Sequence, residues 1–295
     1  MHSHAENRGT RSLLIALCVT GSIFLVELIG GALAGSLALI SDAMHMLSDS
    51  TGLVVALVAT LIARKAASAK ATYGYKRLEV FAAMLNAATV AGVSIWIVLE
   101  AFHRLSNGAD VDARTTLLIG TIGLAANIIS ALVLRRDREH SLNIQGAYLH
   151  VLVDLFGSVA VIIASVCMLA FGWTWADTIA SLVIAALILP RAMQLLWHAM
   201  SVLLERVPAE VDVHEIRTSL ESLQHVTAVH DLHVWSLDGA EILATCHLVV
   251  EGPVTGDCDL LDRAQAALQR HGVGHSTIQI EVSGHGAHEE VCHHS

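Results

Sequence analysis

The sequence predicts a multi-span α-helical membrane protein, six transmembrane helices followed by a small cytoplasmic α+β domain. Three observations lead there. The 295 residues are 54% apolar and 15% charged, with a mean hydropathy of +0.61, far from the balance of a soluble domain. Apolar windows of about 20 residues, the length that crosses roughly 30 Å of hydrocarbon, recur along the first two thirds of the chain. After Arg206 the character changes to the mixed polar and apolar periodicity of packed helices and strands. The net charge of -10, much of it after residue 205, argues against nucleic acid as a partner and leaves the lipid bilayer and divalent metal ions.

Residues 1–11 read as a cytoplasmic N-terminal tail and 12–205 as the membrane domain, with windows at 12–34, 38–63, 79–103, 115–135, 145–171 and 175–198. Gly30, Gly31 and Gly35 mark a tight turn after the first window. That window is too long for a removable signal peptide and is followed by others like it. Ten basic residues, from Arg8 to Arg138, fall on the N-terminal side of the predicted spans against Arg104 and Arg114 on the other. The positive-inside tendency therefore places both termini in the cytoplasm. Trp173 and Trp175 suit an outer interface, and "TYGYKRLE" at 72–79 has the composition of an interfacial anchor. In the C-terminal domain, 206–282, helices are expected at 210–223 and 259–271 and strands at 226–236, 241–250 and 275–282, the helices covering one face of the sheet. Residues 283–295 read as a flexible tail containing histidine and cysteine. The five cysteines show no framework spacing.

The chemistry is carried by a repeated pair. His45 and Asp49 in "SDAMHMLSD", and His150 and Asp154 in "YLHVLVD", stand four residues apart inside apolar windows. Such residues share a helix face. Were the second and fifth spans neighbours, two imidazoles and two carboxylates would converge as a four-ligand tetrahedral set suited to Zn²⁺. Burying a lone carboxylate in lipid costs about 2.5–3.5 kcal/mol even on the lenient insertion scale, whereas facing a dication offsets it. Otherwise each pair only locks helix packing through an internal hydrogen bond. Carboxylate and imidazole bind metal in competition with protons, which makes H⁺ an available counter-ion. Four protein ligands leave no open position for a hydrolytic water, so the chain reads as a transporter and not an enzyme.

Other intramembrane polar groups carry less. Asn86 and Asn127 either bridge spans or border the ion path; Glu27 and Glu79 either join that path or pair with polar neighbours. Asp177 reads as an N-cap or an external attractor for cations. His103 and His198 read as incidental.

With "SLALISDAMHMLSDS", "YGYKRLEVFAAMLNA", "SLNIQGAYLHVLVDLFGS" and "VHDLHVWSL" in this order, the chain resembles the cation diffusion facilitator family, specifically its zinc-transporting branch. The resemblance implies a homodimer with a ferredoxin-like, metallochaperone-like cytoplasmic domain, exporting divalent metal by proton exchange. It makes His45, Asp49, His150 and Asp154 the transport site and favours Zn²⁺, with Cd²⁺ or Co²⁺ as further passengers. It also implies metal at the cytoplasmic domain, as a regulatory or structural ligand, through His230, His247 and Glu281 with a contribution from His233. Gln279 stands where some bacterial members carry histidine. His2 and His4, with Cys292, His293 and His294 at the other end, are candidate capture ligands or inert extensions. The compact loops place the chain in a cell inner (plasma) membrane, or in an intracellular vesicle membrane were the source eukaryotic.

Overall fold

The computed structural model describes residues 2–47, 68–108, 110–135, 142–251 and 258–283, and their side chains apart from those of 2–17, 142–147, 149 and 150. The described helices of the first part are α1 (His2–Ala34), α2 (Leu37–Leu47), α3 (Arg77–Asn107), α4 (Ala113–Arg135), α5 (Leu142–Phe171) and α6 (Trp175–Leu203). Four helices, α3, α4, the 151–171 stretch of α5, and α6, are long and apolar enough to cross a membrane; 18–34 and 37–47 are shorter apolar helices. The 38–63 window is described only as far as Leu47. The expected N-terminal tail is helical from His2. No proline interrupts it, and extending an existing helix costs far less than nucleating one.

By its contacts the chain divides into two compact units, residues 1–58 with 85–196, and 59–84 with 197–295. In the first, many large apolar residues face outward: Leu33 is 82% exposed, Phe156 76% and Leu187 66%. An apolar exterior around polar interior positions is the pattern of a bundle in lipid. Its core joins Leu39, Val90, Ile119, Val161, Ala180 and Ile184. Gly30 and Gly31 lie within α1, where they admit Ile119 and Leu39, and the chain turns at Gly35 alone. Phe171, Trp173 and Trp175 stack at centroid separations of 4.9 and 5.2 Å where α5 passes to α6, as an interfacial aromatic girdle does.

Asp177 does not cap its own helix. Its carboxylate accepts from Ser36 Oγ at 2.5 Å and from Leu37 N at 2.9 Å, so it satisfies the start of α2 from a distant part of the chain. Arg104 donates to Gly35 O at 2.6 Å and pairs with Glu100 at 3.0 Å.

In the second unit, α7 (Val213–Glu221) and α8 (Asp259–Arg270) pack on a sheet of β1 (Val226–Ser236), β2 (Ile242–Val250) and β3 (Val273–Val282). The order is β1-β2-β3, with β1 and β2 antiparallel and β3 parallel to β2. A parallel return needs a crossover, and α8 supplies it. Asp212 caps α7 by accepting from His214 N at 2.8 Å and Glu215 N at 3.3 Å. Ile216 and Leu220 of α7, Ala264 and Leu268 of α8, and the alternating Ile242, Ala244, Cys246 and Leu248 of β2 form one core. Both helices thus cover a single face, and the period of two sends Thr245 and His247 to the other. Val80, Ala199 and Val202 make a smaller cluster in this unit. Lys76 pairs with Glu241 and Arg77 with Glu205 at 2.6 Å. The hydrogen bond to Glu241 holds the Lys76 ammonium above its ordinary pKa.

Candidate metal centres

Two groups of metal-ligating side chains are built in different ways. The first lies among the apolar helices. His45, on α2, and Asp154, on α5, are 8% and 1% exposed, and His45 Nε2 stands 3.7 Å from Asp154 Oδ1. That is longer than a hydrogen bond. It is close to the ~3.3–3.6 Å that separates two ligands of one tetrahedral Zn²⁺ with bonds of about 2.0–2.2 Å. Of the other two predicted members, Asp49 lies outside the described residues. His150 is placed only as a backbone position, one turn before Asp154 in α5.

Around this pair the structure adds Asp42 and Ser158, which the sequence did not single out, and Asn127, which it did. Asp42, three before His45, is 1% exposed, and Ser158, four after Asp154, donates to its Oδ2 at 3.4 Å. Asn127 of α4 donates to Ser158 Oγ at 3.3 Å. Asp42 stands in the same "SDAMH" segment as His45, so a third acidic or imidazole group within two turns of an apolar helix was the available signal.

The second group is assembled on the sheet face that the helices leave uncovered. His230 and His247 oppose each other across β1 and β2, their rings edge to face at 5.0 Å. Glu281 of β3, 4% exposed, reaches both: Oε2 is 3.1 Å from His230 Nε2, and Oε1 is 2.7 Å from His247 Nδ1. One ligand atom from each of the three residues lies within 4.8 Å of the others. Two imidazole nitrogens and a carboxylate oxygen so gathered fit Zn²⁺ or a neighbour in the affinity series. Gln279 donates to Glu281 Oε1 at 2.9 Å, an outer contact that orients the carboxylate.

His233 is not drawn into this group. The register shifts between His230 and His233, where Asp231 takes a φ of 50°, and the extra residue re-aims the strand. His233 Nε2 bonds Asp231 Oδ1 at 3.0 Å, and Asp231 Oδ2 lies 3.8 Å from His247 Nε2. Asp231 therefore links His233 to the group from outside it. Its signal was the "HDLH" string, in which aspartate is among the residues that tolerate a left-handed backbone. Cys246 adjoins His247 in sequence but points into the core, where burial pushes its thiol up to about 11. Its position on the helix-covered face keeps it apart from the imidazoles and the carboxylate on the other. His2 and His4 are placed only as backbone in α1, and Cys292, His293 and His294 lie outside the described residues.

The class these features define is a polytopic helical membrane protein with a buried imidazole–carboxylate pair in its interior and a separate α/β domain carrying a His-His-Glu cluster that could hold a metal ion. Residues 13–204 match the family description "Cation efflux transmembrane domain" and residues 208–283 match "Cation efflux protein, cytoplasmic domain". The chain belongs to the cation efflux, or cation diffusion facilitator, family and to its zinc, cadmium and cobalt branch. It is 38% identical over 288 residues to the "Cadmium, cobalt and zinc/H(+)-K(+) antiporter" of Bacillus subtilis (strain 168), covering 96% of this chain and 93% of that one. It is 39% identical over 284 residues to the "Metal cation efflux system protein CzcD" of Cupriavidus metallidurans, covering 96% and 90%. It is 38% identical over 300 residues to the "Zinc transporter ZitB" of Escherichia coli (strain K12), covering 99% and 95%.

Proposed function

We propose that this protein exports divalent metal, zinc foremost, from the cytoplasm in exchange for protons by alternating access. The observation that carries it is the approach of His45 and Asp154 to 3.7 Å, both buried between apolar helices. Asp49 and His150 complete the transport site by the repeated four-residue spacing. The names of the relatives, which concern cadmium, cobalt and zinc, support the same cargo. Imidazole and carboxylate release protons when they take metal and recover them when they lose it, so one site can serve both ions. The chain then has six spans, forms a homodimer, keeps both termini in the cytoplasm and resides in a bacterial inner membrane.

His230, His247 and Glu281 serve as a regulatory or structural metal site in the cytoplasmic domain. The terminal histidines and Cys292 capture metal near the entrance. That cluster also favours a second function, a membrane-tethered zinc-binding module that senses without transporting. Sealed proteoliposomes with an internal pH reporter separate the two. Zinc uptake with proton release that disappears in Asp49→Ala supports exchange through the membrane site. Binding of zinc by both proteins with flux in neither replaces the transporter by the sensor.

A further inference from the structure

Toward the Gly35 end of the bundle, about one helical turn from the His45–Asp154 pair, lies a second polar group to which the proposed exchange gives no task. Glu27 of α1 is 0% and Asp42 of α2 is 1% exposed. Among the described residues, neither Glu27 carboxylate oxygen has a hydrogen-bond partner, nor has Asp42 Oδ1. Among the described residues, the charges felt by these two groups come from acids: Glu27, Asp42 and Asp154 lie within electrostatic reach of one another. Asn127 enters from α4 through its amide bond to Ser158, the hydroxyl that holds Asp42. It is 1% exposed, and its Oδ1 has no partner among the described residues.

Two glycines make room for the two carboxylates, whose oxygens take the places a side chain would fill. A Cβ on Gly157 would stand 2.9 Å from Asp42 Cγ, and one on Gly123 would stand 3.3 Å from Glu27 Cδ and 3.6 Å from Ser158 Oγ. The Glu27 carboxyl and the Ser158 hydroxyl therefore meet beside Gly123, with Asp42 one hydrogen bond from that hydroxyl.

Two carboxylates taken out of water without a counter-charge are costly. Their formal charge matches one dication, and a neutral amide oxygen and a hydroxyl stand beside them. All the donors are oxygen, a set that suits hard cations and lacks the imidazole favoured by zinc. The position is directional as well. Asp42 precedes His45 in α2 and Ser158 follows Asp154 in α5, both toward the end of the bundle where Asp177 meets Ser36.

We infer that Glu27, Asp42, Asn127 and Ser158 form a second divalent-cation site, built of oxygen donors only, at which the metal pauses after leaving the His45–Asp154 pair. The inference rests on the proposed export. Weaker donors suit a way station, since an ion in a conduction path must be bound well enough to enter and loosely enough to leave.

The test uses the full chain in nanodiscs carrying His230→Ala, His247→Ala and Glu281→Gln, together with His2→Ala, His4→Ala, Cys292→Ser, His293→Ala and His294→Ala, so that neither the sheet cluster nor the terminal ligands contribute metal. Equilibrium dialysis with Cd²⁺, with ¹¹³Cd resonance to tell oxygen from nitrogen ligation, should count two classes of bound ion. Glu27→Gln with Asp42→Asn should abolish the weaker, oxygen-ligated class and keep the tighter one. Ser158→Ala, a small change that removes one neutral donor, should weaken the same class at least tenfold without touching the other. An unchanged count in the double variant overturns the inference, because protons and not metal then neutralise the carboxylates. Loss of both classes in Ser158→Ala also overturns it, since the two places would be one site. If the parent chain binds both classes but moves no zinc, the export proposal fails and the pause with it, while the binding site stands. Flux with only one class overturns the second site alone.

Discussion

The membrane pair and the sheet cluster use the same donor chemistry, imidazole with carboxylate, yet they are held in opposite ways. His45 and Asp154 come from different helices, are nearly inaccessible, and stand 3.7 Å apart, beyond hydrogen-bond distance. His230, His247 and Glu281 come from three adjacent strands, touch one another at 2.7 and 3.1 Å, and leave the His230 side chain 30% exposed. In the sheet, the carboxylate lies against its histidines and is braced by Gln279, so the donors are held together by the strands themselves. In the bundle, the separation is set by helix packing, so relative helix motion changes it. A ligand set on packed helices can gain and lose its ion as the helices move, whereas one on a single hydrogen-bonded sheet is suited to hold it.

The contrast is broken most directly at Asp154. Asp154→Asn should reduce zinc flux at least tenfold while metal binding at the sheet cluster is unchanged, as read by flux assay and calorimetry on the same preparation. Next in size, His247→Ala should lower affinity at the sheet cluster by more than the roughly 10–100-fold typical of losing an outer partner, and Gln279→Ala should fall within that range. Calorimetry on the full chain measures both, and equal losses would remove the distinction between ligand and brace. Leu248→Ala, at the centre of the helix-covered face, should destabilise the C-terminal domain by about 2–5 kcal/mol. Hydrogen exchange across β1 and β2 reads that loss. Asp212→Ala should cost about 1 kcal/mol by removing the α7 cap, with faster exchange at the start of α7.

Cys246 sharpens the comparison of the two sheet faces. Its thiol is raised to about 11 by burial, from an ordinary 9.0. The folded state therefore keeps this proton where the unfolded chain releases it, and the associated stability is present below pH 9.0 and lost as pH rises through about 11. At pH 8, a thiol reagent should label exposed Cys258 well before Cys246. Equal rates would mean that the core face opens readily.

Much of this was legible in the sequence for physical reasons. The period of two in "ILATCHLVV" fixes β2 and sends Cys246 inward and His247 outward. Pairing across elements was not legible. Asp177 looked like a local cap because its sequence neighbours make a helix start, whereas it satisfies α2 from 140 residues away. His233 was expected to contribute beside His230 because a regular strand shows no sign of the bulge at Asp231. Asp42 was passed over because its importance lies in the room left by Gly157 and in the hydroxyl of Ser158, both on another helix.

The central claim is that the membrane pair carries flux and the sheet cluster does not. The most direct test is zinc flux in proteoliposomes of matched protein content for the parent, Asp154→Asn and His247→Ala. The account predicts flux abolished by Asp154→Asn and retained, with altered zinc dependence, by His247→Ala. Flux that survives Asp154→Asn and vanishes in His247→Ala would contradict it.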